Sequence, residues 1–280
     1  MNGKVLRLKR LIAPQDGRLL IFPLDHGVSC GPIPGLQRME ETVRIGAAGG
    51  ADALVLHKGM LRYLQTLRQP LPGIFLHLSA STQLGSTLHH KVPVATVEEA
   101  LRHGVDGVSV HINLGNDQEG DMLRDLGMVG TACTAWQLPL LVMIYVRGIR
   151  VPSPIPDTAI AHAARVAAEL GADIIKIPAP AEGRVLAEIT AASPVPVVVA
   201  GGSRMEDTGS LLRHVEAVLE AGASGVAIGR NIFQHQQPER LLQALSAMVH
   251  QGWSARRAVD HMNAAQPLTR PIDNEASQHE

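Results

Sequence analysis

The stretch "ELGADIIKIPA" (residues 169–179) contains the pattern that decides the fold: a helix tail, a glycine, a small or polar pair, and a short apolar run. The glycine suits the left-handed position at which many helices end. The apolar run is typical of a strand that is covered on both faces, as in a parallel sheet. The stretch therefore predicts a unit of helix, tight turn and parallel strand.

The same pattern recurs three times elsewhere, as "AAGGADALVLH" (47–57), "RHGVDGVSVHI" (102–112) and "EAGASGVAIGR" (220–230). Together with the other apolar runs it predicts eight strands, at residues 18–25, 52–57, 74–79, 106–112, 139–145, 173–177, 195–200 and 224–229. The clearest helical patterns fall at residues 36–49, 117–136, 157–170, 206–221 and 238–250. Asp157 follows a proline-rich loop and is predicted to be the N-cap of its helix.

Strands that alternate with helices predict an α/β fold with a parallel sheet inside and helices outside. Eight strands in about 250 residues is the number of a (β/α)8 TIM barrel, and we predict a single such domain over residues 1–265. The alternative is a doubly wound open sheet, which usually has a glycine-rich nucleotide turn after its first strand. Here "DHGVSCGPIPG" (25–35) does not contain G-x-G-x-x-G, which favours the barrel. Residues 266–280 are polar and are expected to form a disordered tail.

The composition excludes several classes of partner. The net charge is −1 and only 2% of the residues are aromatic, which argues against binding to nucleic acid or to an acidic membrane surface. The basic N-terminal segment has no apolar core of the signal-peptide kind, and no apolar run approaches about 18 residues. The two cysteines, Cys30 and Cys133, do not make a disulfide framework, so we expect a cytoplasmic protein.

Functional side chains of a barrel collect at the C-terminal ends of its strands. The polar residues at the predicted ends are Asp25 and His26, His57 and Lys58, Ser79, Ser109 and His111, Tyr145 and Arg147, Lys176, and the segments "AGGSR" (200–204) and "GRN" (229–231).

Lys176 is the most informative of these residues because it lies inside an apolar strand. Side chains alternate along a strand, so Lys176 shares a face with Ile174, while Ile175 and Ile177 share the other face. In the mouth of a barrel the lysine would be desolvated, and burial favours the neutral amine, a nucleophile that forms Schiff bases with carbonyl carbons. The alternative is a lysine that extends outward to solvent or pairs with a carboxylate on a helix.

Two residues at neighbouring strand ends could move protons beside such a lysine. The phenol of Tyr145 could donate or accept a proton during carbinolamine formation or C–C cleavage. The carboxylate of Asp25 could hold a substrate hydroxyl or act as a base. The structural alternatives are a packed tyrosine with its hydroxyl tethered, and a turn aspartate before Gly27.

The segments after strands 7 and 8 have the character of anion-binding loops. Glycines allow backbone N–H groups to approach a phosphate closely, and barrels usually place a phosphate on these two loops. Arg230 and Arg204 are the candidates for the positive charge, and Ser203 for an additional donor. We also include His26, Arg147 and Gly201 in this predicted substrate site.

The histidines at the ends of strands 1 to 4 raise the possibility of a metal site. However, His26, His57, His77 and His111 form no H-x-H or H-E-x-x-H motif and have no carboxylate cluster beside them in the sequence. We expect no metal and no cofactor. Some of these histidines are expected to hydrogen-bond substrate oxygens and others to be satisfied core residues, and "LHH" (88–90) is expected to lie in a loop.

Beyond these separate features, the chain resembles the archaeal-type class I aldolases, which act through a lysine Schiff base. The shared motifs are "PLDHGVSCGPIPGL" (23–36), "VLHKG" (55–59), "HLSAST" (77–82), "VEEAL" (97–101), "SVHINLG" (109–115), "MIYVRG" (143–148), "ADIIKI" (172–177), "AGGSR" (200–204) and "AIGRNIFQ" (227–234). Within the family, the chain is most similar to the branch of the 2-amino-3,7-dideoxy-D-threo-hept-6-ulosonate synthases and a related aminoheptanoate phosphate synthase. It departs from the family at "YVRG" (145–148), where Y-P-R-G is common.

The resemblance implies a (β/α)8 barrel that needs no metal. It implies that Lys176 forms the Schiff base, that Tyr145 is the acid or base, and that Asp25 assists. The implied phosphate contacts are Gly202, Ser203, Gly229 and Arg230. It also implies a homo-oligomer, often a decamer of two stacked pentamers.

These observations together predict a Schiff-base aldolase or transaldolase. Lys176 would attack a phosphorylated ketose, and the resulting enamine would attack an aldehyde such as aspartate semialdehyde. One alternative is a class I fructose-bisphosphate aldolase, a C–C lyase that depends on dihydroxyacetone phosphate. The other alternative is a barrel that binds sugar phosphates without catalysis.

Overall fold

Eight parallel strands pair in the order of the sequence and close into a ring in the computed structural model, which describes residues 3–65, 67–68, 70–148, 151–205 and 207–264. The strands are β1 (Leu19–Pro23), β2 (Ala53–Leu56), β3 (Gly73–His77), β4 (Gly107–Leu114), β5 (Leu140–Val146), β6 (Ile174–Ile177), β7 (Val197–Ala200) and β8 (Gly225–Ala227). Strand β1 is hydrogen-bonded to both β2 and β8. The predicted barrel is therefore confirmed, and the open sheet is wrong because the last strand returns to the first.

The helices surround this ring. They are α1 (Gly3–Leu11), α2 (His26–Cys30), α3 (Met39–Ala48), α4 (Val97–Arg102), α5 (Glu119–Trp136), α6 (Asp157–Glu169), α7 (Gly183–Ala192), α8 (Thr208–Glu220), α9 (Arg230–Phe233), α10 (Pro238–Gln251) and α11 (Ala255–Asn263). A 3-10 helix, Lys58–Leu64, follows β2. After β3, Ser79–Ala80 pairs with Val92–Pro93 in a short antiparallel ladder. The five helices predicted from the clearest patterns are present, and the other six, α1, α2, α4, α7, α9 and α11, were not among those five.

The recurring glycine has the backbone conformation that its position requires. In the four copies of the pattern, Gly50, Gly104, Gly171 and Gly222 have φ angles of 81°, 70°, 96° and 90°. These values lie in the left-handed region, where a side chain is strained. The glycine therefore ends each helix and turns the chain into the next strand, as the sequence predicted.

The aspartate that follows the glycine in three of the four copies joins neighbouring strands. Its carboxylate accepts a hydrogen bond from a backbone N–H near the start of the preceding strand in the ring. The bonds are Asp52 to Leu20 (2.6 Å), Asp106 to Ile74 (3.0 Å) and Asp173 to Leu140 (2.9 Å). The polar residue of the repeat thus ties the N-terminal ends of the strands together.

Helix α1 closes this N-terminal end of the barrel. Lys4 forms an ion pair with Asp173 at 2.9 Å, and Arg10 forms one with Asp106 at 3.3 Å. Leu11, fully buried, packs with the side chains that fill the barrel interior. Helix α1 therefore covers the bottom of the barrel and is tied to it by two ion pairs and a buried leucine.

Two apolar layers hold the ring in place. Ile174 belongs to the inner layer, whereas Ile175 and Ile177 pack in the outer layer between strands and helices. The predicted alternation along this strand is therefore confirmed. The ring closes tightly at Gly225, where an added Cβ atom would lie 1.8 Å from the carbonyl oxygen of Leu19.

Some predictions need correction or lie outside the described residues. Asp157 is the first residue of α6 and not its N-cap, because its carboxylate accepts hydrogen bonds from the amides of Ala181 and Glu182, at 2.8 and 2.9 Å, after β6. Cys30 and Cys133 are free thiols. Within the described ranges, no helix is long and apolar enough to cross a membrane. The predicted boundary at 265 and the tail at 266–280 lie outside those ranges.

His250, at the end of α10, connects two carboxylates at the bottom of the barrel. Its Nδ1 lies 2.8 Å from Asp16 Oδ2 and its Nε2 lies 3.0 Å from Asp52 Oδ2. The hydrogen bond to Asp52 outweighs partial burial and, with Asp16, raises the pKa of His250 above its usual value of 6.5. The stabilisation is therefore full below that value and is lost as the pH rises through the higher pKa of the folded state.

We predict that His250→Gln lowers the free energy of unfolding by about 1 kcal/mol near pH ~6. The loss should be smaller near pH ~9, because His250 is then neutral in the parent protein as well. Urea denaturation at both pH values measures the difference. His162→Gln removes an exposed histidine on α6 and should change neither value. A loss for His250→Gln that is the same at both pH values would contradict this account.

Candidate active site

The C-terminal ends of the strands surround a cavity of about 390 Å³. Nine of the ten predicted site residues line it: His26, Tyr145, Arg147, Lys176, Gly201, Gly202, Ser203, Gly229 and Arg230. Asp25, the tenth, lies just behind this lining, with its Oδ1 atom 3.7 Å from Nδ1 of His26. A larger groove of about 630 Å³ runs along the outside of β3, and none of the ten residues lines it.

Lys176 lies in the wall of this cavity. Its backbone pairs with Met143 on β5 and Val198 on β7, and the side chain is 6% exposed. The ammonium nitrogen lies 3.9 Å from the sulfur of Met143. Among the described residues, no carboxylate oxygen forms an ion pair with it within 4 Å. The lysine therefore neither extends outward nor pairs with a helix carboxylate.

Asp25 is a carboxylate beside the cavity, and one of its two oxygens lacks a hydrogen-bond partner among the described residues. Its Oδ2 lies 3.8 Å from Nε2 of His77, while its Oδ1 is buried with no hydrogen-bond partner among the described residues. Burial by itself raises the pKa of Asp25. The attraction of His77, His26 and Lys176 is larger and acts in the opposite direction, so the pKa lies well below its usual range. The structure thus holds an ionised carboxylate with a free acceptor at the edge of the cavity.

The histidines at the strand ends are neutral hydrogen-bonding groups at neutral pH. Burial lowers the pKa of His77 to about 3, against the attraction of Asp25. Burial also lowers the pKa of His26, His57 and His111. Within the residues that the structure describes, no three His, Cys, Asp or Glu side chains form a group that could hold a metal ion. The "LHH" segment (88–90) lies in a loop, as predicted.

His77 is oriented by a buried serine that belongs to the next strand. Its Nδ1 lies 2.8 Å from Oγ of Ser109, which is fully buried. The ring of His77 is also close to that of His57, with ring centroids 5.1 Å apart. The ring of His77 therefore has one defined position, from which Nε2 faces Asp25.

Tyr145 ends β5 between two other side chains. The guanidinium carbon of Arg147 lies 4.2 Å from the centre of the Tyr145 ring, and the ring of His111 lies 4.9 Å away, centre to centre. A cation over an aromatic face is attracted by the ring. These contacts restrict the ring of Tyr145, a residue that lines the same cavity as Lys176.

The loops after β7 and β8 are joined to each other. Nη2 of Arg230 donates to the carbonyl of Gly202 at 2.9 Å, and its buried Nε has no partner among the described residues. Gly202 has a φ of 66°. At Gly229, an added Cβ atom would lie 2.7 Å from the ring of His26. Arg204, the other predicted cation, is exposed and does not line the cavity.

Asn231 holds the first of these loops, and the sequence analysis missed it. Its amide nitrogen donates to the carbonyls of Gly201 (2.9 Å) and Ser203 (3.1 Å), and its oxygen accepts from the amide of Met205 (2.7 Å). The residue is 6% exposed. Asn231 directly follows Arg230, the predicted anion-binding residue, and this position was the available signal.

The chain matches one family model and is similar in sequence to named enzymes. The family model described as "DeoC/LacD family aldolase" matches residues 19–235. The chain is 43% identical to a 2-amino-4,5-dihydroxy-6-oxo-7-(phosphonooxy)heptanoate synthase from Streptomyces griseus, over 89% of this chain and 90% of the relative. It is 39% identical to a 2-amino-3,7-dideoxy-D-threo-hept-6-ulosonate synthase from Halobacterium salinarum, over 89% of this chain and 92% of the relative.

A solved structure with a similar fold comes from an archaeal fructose-1,6-bisphosphate aldolase. In that structure the catalytic lysine is covalently bound to the carbinolamine intermediate of the substrate. The TM-score is 0.80 at 29% identity, and the alignment covers 88% of this chain and 99% of that one.

We predict that Asn231→Ala weakens the binding of inorganic phosphate about tenfold, because the loop after β7 loses the three hydrogen bonds that shape it. The measurement is the rise in melting temperature as phosphate is added. Asn116→Ala is the matched control, since its amide binds backbone carbonyls on the other side of the mouth. An undiminished response in Asn231→Ala would show that this side chain does not shape an anion site.

Proposed function

The chain belongs to the DeoC/LacD family of aldolases, and from this we propose that it forms a Schiff base with a phosphorylated ketose and joins that donor to an aldehyde acceptor. The observation that carries the proposal is the buried amine of Lys176 in the wall of the cavity, where no carboxylate of the described residues forms an ion pair with it. The same cavity is lined by Tyr145 and by the loops after β7 and β8, so a bound carbonyl carbon could meet the amine there and form a Schiff base.

The first step is addition of the Lys176 amine to the keto carbon of the donor. The C–N bond forms, the carbonyl oxygen takes up a proton, and the product is a carbinolamine. Loss of water then leaves a protonated iminium. The hydroxyl of Tyr145 and the ionised carboxylate of Asp25 are the groups that we assign to these proton transfers.

The iminium then acts as an electron sink. If the donor is a longer ketose, the electron pair of the neighbouring C–C bond moves to the iminium, and the leaving carbon becomes an aldehyde as its hydroxyl proton passes to the base. If the donor is dihydroxyacetone phosphate, loss of a carbon-bound proton gives the same enamine. The enamine carbon attacks the acceptor aldehyde, and hydrolysis of the new iminium releases the product and Lys176.

The loops after β7 and β8 are the proposed phosphate site. Gly202, Ser203 and Gly229 bring backbone close to the cavity, and Arg230 supplies the charge together with a buried N–H that has no partner among the described residues. Gly201 and His26 complete its lining. An anion here would satisfy groups that otherwise remain buried without a hydrogen bond.

The names of the relatives support a particular pair of substrates. A heptanoate with a 6-oxo group, hydroxyls at carbons 4 and 5 and a phosphate at carbon 7 has its aldol bond between carbons 4 and 5. Division at that bond gives dihydroxyacetone phosphate and a four-carbon aldehyde with an amino group and a carboxylate, which is aspartate semialdehyde. We propose these as donor and acceptor for this chain.

Two further expectations accompany this proposal. We propose that the chain forms a homo-oligomer, of the decameric kind that the family resemblance implies. The free thiols of Cys30 and Cys133 accord with a cytoplasmic location, which we also propose.

We predict that borohydride and dihydroxyacetone phosphate together leave a reduced adduct on Lys176, because the iminium is converted to a stable secondary amine. Peptide mass spectrometry locates the adduct. Lys176→Met should give none. Lys58→Met is the matched control, since Lys58 is exposed and ion-paired to Glu99 at 3.1 Å, and it should still form the adduct. A parent protein without an adduct whose activity is lost to EDTA would instead be a metal-dependent aldolase.

We also predict that joining dihydroxyacetone phosphate to aspartate semialdehyde proceeds with a kcat/KM at least about tenfold higher than cleavage of fructose 1,6-bisphosphate. The greater identity to the heptanoate synthase favours this order. Mass spectrometry of the products detects the seven-carbon amino keto phosphate. Faster cleavage of fructose 1,6-bisphosphate would assign the chain to the alternative, a class I fructose-bisphosphate aldolase.

A further inference from the structure

A buried serine and a buried histidine lie behind the cavity and have no role in the reaction described above. His77 on β3 and Ser109 on β4 are partners in the register of the sheet, and their exposed fractions are 4% and 0%. Their neighbours along the strands, Leu76 and Val108, pack in the outer apolar layer. Because side chains alternate along a strand, the two polar side chains point into the barrel.

The hydroxyl of Ser109 determines which ring nitrogen of His77 carries the hydrogen. Oγ of Ser109 lies 2.8 Å from Nδ1 of His77, and this is its only hydrogen bond among the described residues. A neutral imidazole has one N–H donor and one acceptor nitrogen. If Nδ1 carried the hydrogen, the serine hydroxyl would be a buried donor without an acceptor, which costs free energy. Ser109 therefore donates to Nδ1, and the ring hydrogen is on Nε2.

The charge of Asp25 favours the same tautomer. Nε2 of His77 lies 3.8 Å from Oδ2 of Asp25, which is too long for a hydrogen bond but close enough for electrostatic attraction at a buried position. An N–H group attracts an ionised carboxylate at this distance, whereas a nitrogen lone pair repels it. Burial raises the pKa of Asp25, and among the groups that lower it His77 has the largest effect.

The two oxygens of Asp25 lie near different groups. Oδ2 is the oxygen near His77, whereas Oδ1 lies 3.7 Å from Nδ1 of His26, a residue that lines the cavity. Oδ1 is also the oxygen that is buried with no hydrogen-bond partner among the described residues. An N–H group that attracts Oδ2 restricts the rotation of the carboxylate and leaves Oδ1 as the acceptor for a substrate proton.

We propose that Ser109 and His77 are positioning residues, which orient the carboxylate of Asp25 so that Oδ1 is the oxygen that accepts and returns the substrate proton. Ser109 donates to Nδ1 of His77, and the Nε2–H group of His77 in turn attracts Oδ2. Neither residue lines the cavity, so both act through Asp25 and not on the substrate. This inference rests on the proposed function, because it assumes that Asp25 transfers protons in the Schiff-base reaction.

The test is steady-state kinetics of Ser109→Ala in the faster of the two reactions compared above. Without the serine donor, both tautomers of His77 become available, and one of them turns a lone pair toward Asp25. We expect kcat to fall about tenfold, the usual effect of losing one buried hydrogen bond. The KM for the phosphorylated ketose should change less than about twofold, because neither residue lines the cavity. An unchanged kcat would overturn the inference.

Variants of His77 distinguish positioning from packing. His77→Leu removes the N–H group and should lower kcat at least about tenfold. His77→Gln supplies an amide N–H in place of Nε2–H and should recover most of that loss. Glutamine has no tautomers, so Ser109→Ala added to His77→Gln should lower kcat less than about twofold. An equal loss from Ser109→Ala in both backgrounds, or a glutamine variant as slow as the leucine variant, would overturn the inference.

The pH dependence of kcat is a second readout that packing alone would not move. A carboxylate base is active only when ionised, so activity is lost as the pH falls through the pKa of Asp25. Loss of the His77 N–H raises this pKa, so the acid limb of kcat should lie at higher pH in His77→Leu than in the parent. The other groups that lower it, His26, Lys176 and His57, remain in both proteins. An acid limb at the same pH in both would contradict the proposed role.

A remote hydroxyl is the matched control. Oγ1 of Thr190 donates to the carbonyl of Ala221 at 3.1 Å, near the N-terminal end of the barrel, and Thr190→Val should leave kcat unchanged. The borohydride adduct on Lys176 separates this inference from the proposed function. No adduct in the parent would overturn the proposed function, whereas an adduct together with full kcat in Ser109→Ala would overturn only the inference. If His77→Leu does not fold, His77→Met replaces it with the same expected loss.

Discussion

The closed ring of hydrogen bonds is the constraint on which the rest of this structure depends. Each strand is paired on both sides, so its side chains can point only into the barrel or outward to the helices. Ile175 and Ile177 take the outward positions of β6, which leaves Lys176 with the inward one. A lysine that could rotate to solvent in an open sheet is held here in the wall of the cavity.

The two ends of the ring use charged groups in opposite ways. At the N-terminal end, the carboxylates of Asp52, Asp106 and Asp173 each accept a hydrogen bond from a neighbouring strand. Each also pairs with a basic side chain. At the open end, Oδ1 of Asp25 is buried without a hydrogen-bond partner among the described residues. The carboxylates of the closed end thus join strands to each other, while the buried acceptor of Asp25 at the other end could bind a ligand.

Much of the fold was predictable because the repeated pattern joins three local rules. A glycine that must be left-handed, a polar residue at the start of a strand and a buried apolar run each constrain the chain over a few residues. The same rules located nine residues of the cavity, since strand ends converge in any barrel. What failed was long-range: Asp157 binds the loop at Ala181, and Asn231 binds the loop at Gly201, contacts that no local pattern encodes.

The sequence by itself determined the type and order of the elements and the residue types that carry the chemistry, because backbone preferences and side-chain alternation act over short distances. Only the tertiary structure decided which of those residues share one cavity and in what charge environment. His26 follows β1 and Tyr145 lies near the end of β5, yet both line the cavity that contains Lys176. Their proximity arises from closure of the ring, which brings distant parts of the chain together.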